Sequence, residues 1–187
     1  YFYIVYNASR KNIDEEIFIT NTKNVLILND RCLFAVQGPD SYFVLSKIFS
    51  IKKNMNFLEI KIHKYLKDNI FISRSGYTGE DGFELSIPNL IAHEIITNIL
   101  NDKKVILCGL GCRDSLRIEA GLSLYGHEIN EDITPIQANL VWALDKERLD
   151  DKNLNGHLIL TNQLKSYLEN KKIGIIPINK IMLREGM

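Results

Sequence analysis

Residues 75–84 read SGYTGEDGFE, placing an aromatic, a threonine and three acidic side chains within ten positions. A tight turn needs the glycines and at most the aspartate; it has no need of Tyr77 before the loop or Glu84 after it. A carboxylate accepts two parallel N–H bonds, so Glu84 suits the edge of a flat nitrogen heterocycle, with Tyr77 packed on the ring. The plainer alternative is a hairpin whose Glu84 lies on the wet face of a sheet. A second dense stretch, CGLGCRDSLRIEAGLSLYG, runs from 108 to 126. There Arg113 and Arg117 are four apart on one helix face, and Asp114 can pair with Arg117. Asp114, Arg117 and Glu119 read as a salt-bridged amphipathic face. Arg113 differs because it stands near a helix start after GLG, where outward backbone N–H groups also favour an anion or a polar ring edge. GLG lacks the full GxGxxG spacing, so no nucleotide fold follows from it.

These residues need elements to hold them. FYIVY (2–6), VLIL (25–28) and CLFAVQ (32–37) are β-rich runs. Pro39 suits a helix's first turn, and Phe43, Val44, Ile48 and Phe49 follow at helical spacing. NIFISRS (69–75) and FELSIP (83–88) read as strands flanking the loop, with Phe83, Leu85 and Ile87 on one face and Glu84 and Ser86 on the other. Asn89 is placed to cap a helix whose Leu90, Ile91, Ile95, Ile99 and Leu100 form one stripe. A strand at 105–108 leads into a helix over RDSLRIEAG, stopped by Gly121. A polar loop closed by Thr134-Pro135 precedes an apolar run to Leu144, 146–156 reads as a solvated connector, and 171–184 as a strand and its continuation. Interspersed elements with hairpin-like strand pairs predict an α+β fold, with mixed or antiparallel sheets and packed helices rather than a doubly wound parallel sheet.

Lys+Arg and Asp+Glu balance at 23 each, which argues against a broad phosphate-binding surface and so against nucleic acid as a partner. No apolar run reaches membrane-span length, so no membrane partner is expected. Cys32, Cys108 and Cys112 have no metal spacing and read as buried reduced thiols. The four histidines lie in separate segments, so no metal site is expected. The abrupt YFYIVYNASR opening and REGM ending read as an excerpt of a longer protein.

SGYTGEDGFELSIP followed by CGLGCRDSLRIEAGLSLYGHEINEDITPIQANLVWAL closely resembles the aminomethyltransferase (T-protein) family of the glycine cleavage system. QGP at 37–39, YIVYNAS at 3–9 and LREG at 183–186 fit the same family's spacing. The resemblance implies the family's folate-binding α+β core over 1–170, incomplete at its N-terminus, and the start of its C-terminal barrel domain at 171–187. It implies transfer of a one-carbon unit from the aminomethyl-lipoyl arm of H-protein to tetrahydrofolate, with ammonia released. The partners are then lipoylated H-protein and folate, and the location is mitochondrial in a eukaryote and cytoplasmic otherwise. The family's pteridine-anchoring glutamate falls on Glu84 and its folate-contacting arginine on Arg113. The turn tyrosine falls on Tyr77, the early asparagine on Asn7, and an arginine near the folate tail on Arg184. Trp142 lies in a matching apolar segment, where it either walls the aminobenzoyl group or packs in a core.

One departure stands out. The family's catalytic aspartate precedes the segment holding Asn7 and lies outside this chain, so no catalytic residue is assigned within it. Related alternatives are the folate domain of a dimethylglycine or sarcosine dehydrogenase, a methyl-transferring demethylase, and a non-catalytic or RNA-modification-related folate-binding protein. The last tends to carry a KGC-type motif, which is absent here. A structural α+β domain without a ligand is the remaining reading.

Overall fold

The computed structural model describes residues 2–179 and residue 181. The chain divides into two compact units, Tyr1–Leu122 and Ser123–Met187.

The first unit is built on four strands: β1 (Arg31–Gln37), β2 (Ile60–Tyr65), β3 (Asp68–Ser73) and β4 (Gly82–Pro88). They pair antiparallel in the order β1-β4-β3-β2, so the strand that carries Glu84 is central. The expected α+β class with antiparallel strands is what forms. Alternation along β4 sends Phe83, Leu85 and Ile87 to one face, where they join Ile70 and Ile72 of β3, all five at 0–1% exposure. Two helices cover that face, α2 (Ser41–Leu45) and α3 (Asn89–Leu100), through Val44, Leu45, Ala92, Ile95 and Ile99. Each such side chain contributes about 1.5–3 kcal/mol by leaving water, so the register of β4, and with it the side on which Glu84 emerges, is fixed by this core. A helix over Leu110–Glu119 (labelled α4 below) follows, and Gly121 with φ +72° ends it as expected.

The other face of β4 is not a simple wet surface. Ser86 is 3% exposed because Arg31 covers it. The Arg31 Nε donates to Ser86 Oγ at 2.8 Å, and its Nη2 donates to the carbonyls of Ser86 and Asn69. The same guanidinium lies over Phe71, 4.4 Å from the ring centroid.

Several expected elements take other forms. The runs 2–6 and 25–28 form no strand, since each lacks a neighbour to complete its hydrogen bonds; Phe2 and Leu26 are largely exposed. Residues 105–108 are likewise unpaired, with Ile106 and Leu107 exposed. On α3 the buried stripe is Ala92, Ile95 and Ile99; Leu90 at 98% exposure lies off it. Asn89 makes no cap, and its Oδ1 instead accepts from the Cys32 thiol. Cys108 and Cys112 are exposed rather than buried, and Cys32 is half-buried. Two helices are additions to the expected set: α1 (Lys11–Asn21), which buries no residue, and, in the second unit, α5 (His157–Lys165).

The second unit holds a small cluster of Ile136, Leu149 and Leu160. Leu149 is buried from a 3-10 turn at Arg148–Asp150 and Leu154 packs partly buried on the same cluster, so 146–156 is anchored by two apolar residues rather than wholly solvated. No strand forms among the described residues after 170, and the rest of the expected 171–184 strand lies outside them.

Candidate functional site

The loop between β3 and β4 is the part of the first unit where functional side chains gather. Glu84 is half-buried and its Oε2 accepts a 2.7 Å bond from the Ser75 hydroxyl. Ser75 Oγ is also 2.7 Å from Ser73 Oγ. A hydroxyl has one proton, and the carboxylate accepts only, so the Ser75 proton points to Glu84 and Ser73 donates to Ser75. This chain fixes one carboxylate oxygen and leaves acceptor capacity on the other.

The loop is braced on both sides. Arg74 forms a bidentate pair with Asp81, with both N···O distances 2.9 Å. Its Nη1 donates to the carbonyls of Met55 and Lys53. The paired guanidinium holds the Asp81 carboxyl below the usual carboxylate range. At the tip, Gly79 has φ +79°, and a Cβ there would stand 2.7 Å from that of Ala120, at the end of α4. Only glycine permits that approach. The tip therefore rests on α4, and Tyr77 meets the Arg113 guanidinium 5.0 Å from its ring centroid.

The sequence-derived residues fall into three groups. Glu84, Tyr77 and Arg113 share this loop and the helix it rests on, with Arg113 exposed on the first turns of α4. Asn7 is exposed on extended backbone just before a 3-10 turn at Ala8–Arg10. The run leading to it contacts the sheet where Tyr3 sets an edge against Phe71, 5.3 Å between centroids. Phe71 pairs with Ser86 and so lies on the Glu84 face. Trp142 belongs to the second unit, on a 3-10 turn at Val141–Ala143, and its 69% exposure excludes a core role within that unit. Arg184 lies outside the described residues. The Asp114–Arg117 pair forms at 2.8 Å as expected.

A cleft of about 320 Å³ borders the same loop, lined by Phe57, Arg74, Gly76, Gly79, Asp81 and Leu122 among others; Glu84, Tyr77 and Arg113 are not among its walls. Among the described residues no cluster of His, Cys, Asp and Glu has the makings of a metal site, and no helix is long and apolar enough to cross a membrane. Sequence reasoning passed over Ser73, Ser75, Arg74 and Gln37. The serines carried a readable signal, since Ser73 and Ser75 flank Arg74 directly opposite the strand of Glu84.

Comparison with known proteins adds an independent line. The model of the GCVT N-terminal domain matches residues 1–148. A mitochondrial aminomethyltransferase of Dictyostelium discoideum is 38% identical over 176 residues, covering 89% of this chain and 43% of that protein. That of Saccharomyces cerevisiae is 39% identical over 203 residues, covering 99% and 50%. The crystal structure of the glycine cleavage system aminomethyltransferase T from Bartonella henselae superposes with a TM-score of 0.74 at 35% identity, covering 85% of this chain and 43% of that one. The chain thus spans half or less of the length of these relatives.

Proposed function

The chain belongs to the GCVT N-terminal domain family, and from that premise we propose that it is the folate-holding part of an aminomethyltransferase of the glycine cleavage system. The whole protein passes the one-carbon unit from the aminomethyl-lipoyl arm of H-protein to tetrahydrofolate and releases ammonia. Its location is mitochondrial if its source is a eukaryote, as the names of its eukaryotic relatives say of them, and cytoplasmic otherwise.

The observation that carries this reading is Glu84, central in the sheet, half-buried, and tethered by Ser75 through one oxygen. A carboxylate so fixed suits two adjacent N–H donors on a pteridine edge and sets the ring's rotation. A flat donor-rich ring must be held in one orientation for its nucleophilic nitrogen to meet a carbon presented by another protein, and orientation of that kind supplies much of the rate. Arg113 and Tyr77, stacked together, offer a cation and an aromatic face beside the same loop. Asn7, Trp142 and Arg184 complete the assigned contacts as the family's counterparts. The family's acid–base aspartate has no assigned counterpart among these residues, and the role proposed for Glu84, Arg113, Tyr77, Asn7, Trp142 and Arg184 is to bind and orient folate.

Titration calorimetry of the full-length protein with tetrahydrofolate tests the assignment. Glu84→Ala is expected to weaken binding at least a hundredfold and Glu84→Gln somewhat less, because Gln keeps one acceptor. Unchanged affinity in Glu84→Ala would remove the reading. Ammonia release from aminomethylated H-protein then separates the transferase from a protein that only binds folate.

A further inference from the structure

Gln37 opens the QGP stretch at 37–39, and the family resemblance assigns its side chain no role. It sits at the end of β1, opposite Gly82 in the β1–β4 register, and its amide reaches into the loop that carries the site. Its Nε2 donates to the carbonyl of Ser75 at 3.0 Å and to that of Phe83 at 3.3 Å. Its Oε1 accepts from Thr78 Oγ1 at 3.3 Å. Two of these partners are carbonyls, which only accept, so the amide has a single workable orientation with nitrogen toward the strands and oxygen toward Thr78. Thr78 Oγ1 in turn accepts from the backbone N–H of Glu80. One side chain thus ties together the last residue of the incoming arm, the tip, and the residue just before Glu84.

The space for this amide is made by two glycines. A Cβ on Gly76 would lie 1.8 Å from Gln37 Oε1, and one on Gly82 would lie 2.5 Å from its Cδ. Real Cβ atoms do not approach so closely, so any side chain at 76 or 82 requires the amide to leave. GYTGEDG therefore carries glycines at 76 and 82 because a third strand's amide lies between the arms of the hairpin.

We propose that Gln37 is a positioning residue for the folate site, acting on Glu84 through Ser75. The amide holds the Ser75 carbonyl, which sets the placement of the Ser75 hydroxyl, and that hydroxyl is the group bonded to the Glu84 carboxylate. The Phe83 carbonyl, held by the same nitrogen, fixes the peptide that leads directly into Glu84. The inference rests on Glu84 being the folate anchor.

The test is a double-mutant cycle on tetrahydrofolate affinity in the full-length protein, with melting temperature recorded for each variant. Gln37→Leu keeps the bulk and removes all three bonds; about a tenfold rise in Kd is expected. In a Glu84→Ala background the same substitution is expected to change Kd less than about twofold, although it lowers the melting temperature alike in both. Equal losses in the two backgrounds would mean a general structural role, and no loss in the native background would mean no role at the site; either overturns the proposal alone. If Glu84→Ala itself binds as tightly as the native protein, the folate reading falls and takes this inference with it. Should Gln37→Leu not fold, Thr78→Val removes one bond to the amide from an accessible loop. It is expected to raise Kd about threefold with Glu84 present, and an unchanged Kd would overturn the proposal.

Discussion

The guanidinium of Arg113 lies over the ring of Tyr77, 5.0 Å from its centroid, and this contact joins a hairpin loop to a helix 36 residues further along the chain. It forms because the loop tip comes close enough to α4 for Gly79 to touch Ala120. Arg113 is exposed, so the stack is worth about 0.5–1 kcal/mol. That is small for stability but large enough to bias where a cation waits.

Tyr77→Phe retains the ring and with it the contact to the Arg113 guanidinium, so as far as that contact goes folate affinity should stay within about twofold. Tyr77→Leu should lower folate affinity several-fold while shifting the melting temperature little. Calorimetry and a thermal melt on the same samples check both. A Leu variant that loses several degrees and no affinity would make the ring a packing element instead.

Gly76→Ala forces a methyl group onto the Gln37 amide. The neighbour is the end of a side chain, so the amide moves rather than the backbone, and the loss is its three bonds together with the strain of moving it. We expect about 1–3 kcal/mol of destabilisation, measured by urea unfolding. In a Gln37→Ala background the added methyl should cost less than about 1 kcal/mol, because the obstacle is gone.

Arg74 and Asp81 separate two effects that a salt-bridge count would merge. Their side chains are 29% and 44% exposed, so the ion pair itself contributes about 1 kcal/mol or less. Arg74 also holds the carbonyls of Lys53 and Met55, the latter on a residue that is 3% exposed. Arg74→Met should thus destabilise by about 1–3 kcal/mol and Asp81→Asn by clearly less. Because the Asp81 carboxyl is held below its usual value by Arg74, its contribution is complete above about pH 4 and fades as pH falls through the lowered value. Asp81→Asn should flatten that acid limb in urea titrations run between about pH 2 and pH 5.

How far the sequence carried these conclusions depends on the range of the interaction concerned. The two strands around the loop, the inward face of β4 and the helix stopped by Gly121 were readable because period-two alternation, apolar spacing and a left-handed glycine act within a few residues. Glu84 stood out for the same reason: an acidic residue between Phe83 and Leu85 has to face away from the core. The runs at 2–6 and 25–28 misled, because β-rich composition says what suits a sheet and nothing about whether a neighbour is available. Leu90 misled in another way, since several apolar residues at the start of α3 left the angle of the buried stripe undetermined until β4 set it. Gln37 lies 38 and 46 residues from the carbonyls it holds, and no local pattern could have revealed it. The family resemblance named Glu84, Tyr77 and Arg113, but the reason for the glycines at 76 and 82 came only from the fold.

His63 supplies a prediction about acid stability. It lies on the edge strand β2 with its ring set edge-on to Phe49, 6.3 Å between centroids, and its Nε2 is buried without a hydrogen-bond partner among the described residues. Burial lowers its pKa below the ordinary histidine value. The unfolded chain therefore takes up a proton at a higher pH than the fold does, and by linkage stability rises with pH across that interval. Above about pH 6.5 both states are neutral and the residue adds no pH dependence. Below it stability should fall, with a slope of at most about 1.4 kcal/mol per pH unit, until the folded histidine also titrates. His63→Phe keeps the ring and removes the proton site, so its urea midpoint should match the native protein's near pH 8 or exceed it, and should fall less between pH 6.5 and pH 5. Equal slopes for the two proteins over that range would show that the imidazole is reached by water or by a partner in its charged form, and would remove it as a source of acid sensitivity.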